Sequence, residues 1–108
     1  MKSKTKTKKS YHSANKFIQK LLKDNEVRVL FEAERAKTLI ADAVRTARIK
    51  TGLTQVELAQ AAGTTQAVIS RIESGSDSRT PSLELLSRIA GACKAKLTFA
   101  FEFTKKVA

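Results

Sequence analysis

Gln66, Ala67, Ser70 and Arg71 stand at positions i, i+1, i+4 and i+5, the spacing of one helix face. Their side chains supply an amide, a methyl, a hydroxyl and a guanidinium. That set suits the edges of base pairs. A glutamine amide bonds bidentately to adenine, a guanidinium bonds bidentately to guanine, and an alanine methyl packs on the methyl of thymine. Ser74 continues the same face. Gln55 falls in the expected first turn of a preceding helix, where a side chain and a helix N-terminus together clamp a phosphate. Thr65, Arg79 and Thr80 complete the candidates for phosphate contact.

The surrounding residues predict how these groups are held. Thr54-Gln55-Val56-Glu57 has the pattern of a capping box, a hydroxyl followed three residues later by a carboxylate. It opens a helix running to about Ala62, with Leu58, Ala59 and Ala62 on its inner face. Gly63 marks a tight turn, and Thr65 caps a second helix that turns Ile69 and Ile72 inward. Residues from about Ala36 to Thr51 form a helix upstream, with Leu39, Ile40, Ala43, Val44 and Ala47 as its apolar stripe. Thr80-Pro81-Ser82 begins a final helix lined by Leu83, Leu86, Ile89, Ala90 and Cys93.

The flanks read differently. Phe17, Ile18, Leu21 and Leu22 give Ala14 to Lys23 an amphipathic helical pattern, which Asp24-Asn25 interrupts. Val27, Leu30 and Phe31 fit helical spacing beside the helix-forming run Glu32 to Ala36, although Val27, Val29 and Phe31 also alternate as in a strand. Near the end, Leu97, Phe99, Phe101 and Phe103 fall at every second residue, a strand with one apolar face. A lone strand leaves its backbone unpaired, so it needs a partner. The simplest is its twin in a second subunit across a two-fold axis, and the alternative is Val27 to Phe31 within the chain.

Composition narrows the function classes. The 108 residues hold 21 Lys and Arg against 10 Asp and Glu, a net charge of +11 that favours a polyanionic partner. Lys2, Lys4, Lys6, Lys8, Lys9 and Lys16 contribute part of it, and no acid lies among the first 16 residues. Residues 1–13 bury almost nothing and are expected to be a disordered basic tail, either solubilising or adding phosphate contacts. Cys93 is the only cysteine and His12 the only histidine, which excludes an internal disulfide and a Cys-rich zinc site. Catalytic triads, metal-ligand spacing and phosphate-binding glycine loops are missing, so neither enzyme nor cofactor is expected. No apolar run approaches the ~18 residues of a membrane span, and the N-terminus lacks the apolar stretch of a signal peptide.

From about Ala36 to Lys94 the sequence resembles the Cro/cI-type (XRE) helix-turn-helix family. The matching residues are Arg48, then Gly52-Leu53-Thr54-Gln55, Leu58-Ala59, Gly63, Gln66, Ile69 to Glu73 and Gly75, followed by Pro81-Ser82-Leu83, Leu86 and Ile89-Ala90. The resemblance implies a mainly α, five-helix lambda-repressor-like domain. It also implies a homodimer on an inverted-repeat double-stranded DNA operator, transcriptional repression, and a bacterial cytoplasmic, nucleoid-associated location. It assigns base contact to Gln66, Ala67, Ser70 and Arg71, the phosphate clamp to Gln55, and a structural ion pair to Arg48 and Glu73.

The flanks resemble HigA-type antitoxins in organisation. Those proteins bind a RelE/HigB-like ribonuclease toxin and regulate their own operon. The resemblance implies a toxin-binding surface on Phe17, Ile18, Leu21, Leu22, Val27, Leu30 and Phe31. A stand-alone prophage-type repressor, and a helix-turn-helix protein-interaction module without specific DNA binding, are the alternatives. The expected organisation is a basic tail (1–13), an N-terminal helical extension (14–35), the helix-turn-helix domain (36–94) and a C-terminal dimerisation strand with tail (95–108).

Overall fold

The structure, a computed structural model, describes residues 6–103, with side chains from residue 14 onward. Four helices make up its regular structure: α1 (Lys6–Thr51), α2 (Gln55–Ala62), α3 (Gln66–Ser74) and α4 (Leu83–Ala92). The chain divides into two compact units, Met1–Ala36 and Lys37–Ala108.

Several expectations are corrected here. The described residues contain four helices, where five were expected. Asp24 and Asn25 do not interrupt α1. Neither residue costs more than about 0.7 kcal/mol in a helix, and no glycine or proline lies between Lys6 and Thr51. Asp24 also accepts from Lys20 Nζ one turn earlier, at 3.4 Å. Residues 6–13 are helical and not disordered as expected, because once a helix exists each further residue adds a hydrogen bond without a new nucleation cost. Residues 1–5 of the expected tail lie outside the described residues.

The C-terminal segment is the other difference. Residues 96–103 have no regular secondary structure, and no strand occurs among the described residues. The alternation of apolar residues is a real feature, but a strand is defined by a ladder, and none forms among the described residues. The Phe99 and Phe101 rings meet edge to face with centroids 6.3 Å apart. Both remain exposed, as does Phe103.

Within Lys37–Ala108, α2 packs against both α3 and α4. Leu58 of α2 and Ile69 of α3 are fully buried at the centre. Val44, Ala59, Ala62, Ile72, Ile89 and Cys93 surround them. Burying each large side chain stabilises the domain by roughly 1.5–3 kcal/mol. The stripe on α1 is narrower than expected. Ala41 and Val44 are buried and Ile40 and Ala47 partly so, whereas Leu39 and Ala43 are exposed. Of the residues expected on the inner face of α4, Leu83 is exposed, and Leu85 packs against the core instead.

Local chemistry sets the helix ends. Thr54 Oγ1 accepts from the Glu57 amide at 3.0 Å while Glu57 Oε1 accepts from the Thr54 amide at 2.8 Å, a complete capping box. Thr65 and Ser82 cap α3 and α4 through the Val68 and Leu85 amides. At the end of α2 the chain reverses at Gly63, with φ of 71°, where a side chain would be strained. The Gly63 and Thr64 amides then close onto Gln60 O and Ala59 O, so α3 starts two residues later.

Candidate nucleic-acid interface

Gln55 and Gln66 occupy the first positions of α2 and α3. Each follows a threonine cap, so each sits over the positive end of a helix dipole. The two side chains meet, Gln66 Nε2 donating to Gln55 Oε1 at 3.1 Å. Two helix N-termini are thereby brought side by side, an arrangement that favours anionic oxygen.

The α3 face next to this pair is open. Gln66, Ala67 and Arg71 are exposed and Ser70 is half-buried, while Ile69, Ile72 and Glu73 turn inward. The Arg71 guanidinium lies 3.8 Å from Asp77 in the loop after α3, and Asp77 Oδ1 also accepts from the Arg79 amide at 3.3 Å. Arg79 and Thr80 are exposed in the same loop. Thr65 is exposed, and its hydroxyl serves the α3 cap.

Beneath this face lies a buried ion pair. Glu73 is 5% exposed. Arg48 Nε donates to its Oε2 at 2.6 Å and Nη2 to its Oε1 at 3.0 Å, a bidentate fork. The remaining Arg48 nitrogen, Nη1, donates to Leu53 O at 3.0 Å. Gln55 Nε2 adds a third donor to Glu73, at 3.2 Å. Burial pushes the Glu73 carboxyl up, but the hydrogen bonds from Arg48 and Gln55 and the charges of Arg48 and Arg45 outweigh it. The net result lies below the ordinary carboxylate value. The hydrogen bond to Glu73 raises Arg48 further, against its own desolvation. The pair therefore stays ionised, tying α1 to the C-terminal half of α3.

Some supporting residues carried no readable signal in the sequence. Arg45 Nη1 donates to Glu73 O at 3.1 Å and Nη2 to Asp42 at 2.8 Å. Arg88 Nε caps the end of α2 through Ala62 O at 2.8 Å. The contacts of Arg45 with Glu73 and of Arg88 with Ala62 join residues distant in sequence, so no local pattern marks them. The Gln55–Glu73 contact has the same origin.

A family model described as helix-turn-helix matches residues 44–99, just over half of the chain. The chain belongs to the helix-turn-helix family. Its type is Cro/cI (XRE), a DNA-binding regulatory family and not an enzyme family. No curated protein matches the chain. Among the described residues no cluster of metal-ligating side chains occurs, and no helix is long and apolar enough to cross a membrane.

Proposed function

We propose that this helix-turn-helix protein is a sequence-specific transcriptional repressor that binds an inverted-repeat operator as a homodimer. The observation that carries the reading is the Gln55–Gln66 pair at two adjoining helix N-termini, beside the exposed face of Gln66, Ala67 and Arg71. Ser70 completes that face at its half-buried edge. In this reading Gln66, Ala67, Ser70 and Arg71 meet base edges, and Gln55, Thr65, Arg79 and Thr80 meet phosphates. The net charge of +11 supplies the non-specific attraction. Leu97, Phe99, Phe101 and Phe103 pair with the same residues of a second copy, forming the two-stranded ladder that one copy lacks. The dimer then presents two α3 helices to successive major grooves about 34 Å apart. Footprinting on the DNA upstream of its own gene tests this. Arg71→Ala is expected to lose roughly 1–3 kcal/mol of discrimination at one base pair of each half-site. A footprint and base preference unchanged in that variant would refute the recognition-helix assignment.

One observation favours a second role, as the antitoxin of a ribonuclease toxin. Phe17, Ile18, Leu21, Leu22, Val27, Leu30 and Phe31 are all more than half exposed. A run of large apolar side chains this open suits a partner protein. Co-expression with the product of the neighbouring gene, followed by size-exclusion chromatography, tests it. The expected result is a complex that Leu21→Lys together with Leu22→Lys dissociates. Separate elution of the two wild-type proteins would refute the role.

A further inference from the structure

Between Gln66 and Thr80 the sequence holds two acids, Glu73 and Asp77. Glu73 is buried and matched by Arg48. Asp77 is a different case, a carboxylate that lines one small cleft with Lys37, Arg71 and Arg79. An acid beside a DNA-binding face opposes phosphate and weakens the attraction to DNA of any sequence. We propose that Asp77 acts on Arg71, reserving its guanidinium for the edge of a guanine and withholding it from the phosphate backbone. The inference rests on the DNA-binding reading above and names a further residue that sets its specificity.

Local structure brings the two side chains together. Gly75 adopts a φ of 69° and ends α3. The Ser76 amide then closes onto Arg71 O at 3.3 Å, so the chain doubles back along the last turn of the helix. Asp77 arrives beside the Arg71 side chain, with Oδ2 3.8 Å from Nε. The loop is fastened at two further points. Asp77 Oδ1 accepts from the Arg79 amide at 3.3 Å, and Ser78 O accepts from Lys37 Nζ at 3.4 Å.

A separation of 3.8 Å makes an ion pair and not a hydrogen bond, and with side chains 52% and 31% exposed it adds little to stability. Its effect is on what Arg71 can bind. The carboxylate stands at the Nε side, while Nη1 and Nη2 form the outer edge of the fork. Those two nitrogens match O6 and N7 of guanine. A base edge carries no net charge, so its hydrogen bonds survive beside Asp77. A phosphate does carry one, and it meets a guanidinium whose charge a carboxylate already offsets. The pair therefore loses attraction for the backbone and keeps it for guanine. Specificity is a difference of affinities, and it widens when the wrong contact is weakened. Asp77 is a positioning residue in this scheme, since the base is touched by Arg71.

Asp77→Asn removes the charge and keeps Oδ1 for the Arg79 amide, so the loop and the melting temperature are expected to stay as in wild type. Full-length proteins are titrated, across a salt series, on the duplex that wild type selects from a randomised library and on a scrambled duplex. In the variant, affinity for the scrambled duplex is expected to rise at least about threefold, and its log–log salt slope to steepen by roughly one unit, as one more cation becomes available to phosphate. The ratio of selected to scrambled binding is expected to fall. Introduced into Arg71→Ala, the same substitution is expected to leave slope and ratio nearly unchanged, since the side chain that Asp77 acts on is gone. Equal effects with and without Arg71 would overturn the proposal and leave Asp77 a general repulsive charge. An Asp77→Asn protein whose slope and ratio match wild type would overturn it as well. A wild-type protein that selects no duplex from the library would overturn the DNA-binding reading itself, and this inference with it.

Discussion

Glu73→Ala removes one carboxylate and strands several donors. Arg48 loses both arms of its fork, 2.6 and 3.0 Å long, and Gln55 loses its bond at 3.2 Å. The Arg48 side chain is only 16% exposed, so water cannot fully replace what is lost. Breaking a buried pair by deleting one partner costs about 3–5 kcal/mol. Arg48 keeps its bond to Leu53 O, which places the expected cost at the lower end, about 3 kcal/mol. A domain of this size is stable by roughly 5–10 kcal/mol, so the loss takes a large share. In a thermal melt followed by circular dichroism, each kcal/mol shifts Tm by about 4–8 °C, giving a drop of roughly 12–24 °C. The companion variant is Arg48→Met with Glu73→Leu. Replacing a whole buried pair by apolar groups is often neutral or stabilising, so this double variant is expected to recover most of the loss. A Glu73→Ala melt within about 4 °C of wild type, corresponding to less than ~1 kcal/mol, would refute the reasoning. So would a double variant whose loss equals the sum of the two single ones.

Three other perturbations have worked signs. Because the folded Glu73 carboxyl lies below its ordinary value, its stabilisation is complete above the unfolded pKa. That contribution fades as the pH falls through the folded pKa. A urea titration series should therefore show Glu73→Gln losing less stability than wild type on acidification, and parallel losses would refute the assignment. Ile69→Ala empties a fully buried site between α3 and the core and is expected to cost about 2–5 kcal/mol in the same titration. Phe101→Lys puts a cation on the proposed dimer strand, and sedimentation equilibrium should show a monomer where wild type is a dimer. A dimer of unchanged strength would move the interface elsewhere.

What was legible in the sequence is what short-range chemistry controls. Thr54 and Glu57 form a capping box because the two residues satisfy each other's backbone amides across one turn. Gly63 ends α2 because it adopts positive φ at low steric cost. Leu58, Ile69 and Ile72 face inward because helical periodicity already sorts them from Gln66 and Arg71. Less legible was anything without a local penalty. Asp24 and Asn25 resemble a helix stop, yet their small propensity cost is overridden inside a long helix. Leu39 and Leu83 have core chemistry but lie off the buried arc, which tertiary packing and not the sequence period sets.

The alternation from Leu97 to Phe103 marks the same divide from the other side. Its period belongs to the sequence, but a strand requires a second backbone, and among the described residues none pairs with this segment. For the candidate interface, residue types alone determined the reading groups, an amide, a methyl, a hydroxyl and a guanidinium on one helix face. Tertiary structure decided which way that amide points. Sequence spacing leaves Gln55 and Gln66 free to turn either end outward. The fold instead seats Gln55 against Glu73, buried and held ionised by Arg48, and seats Gln66 against Gln55.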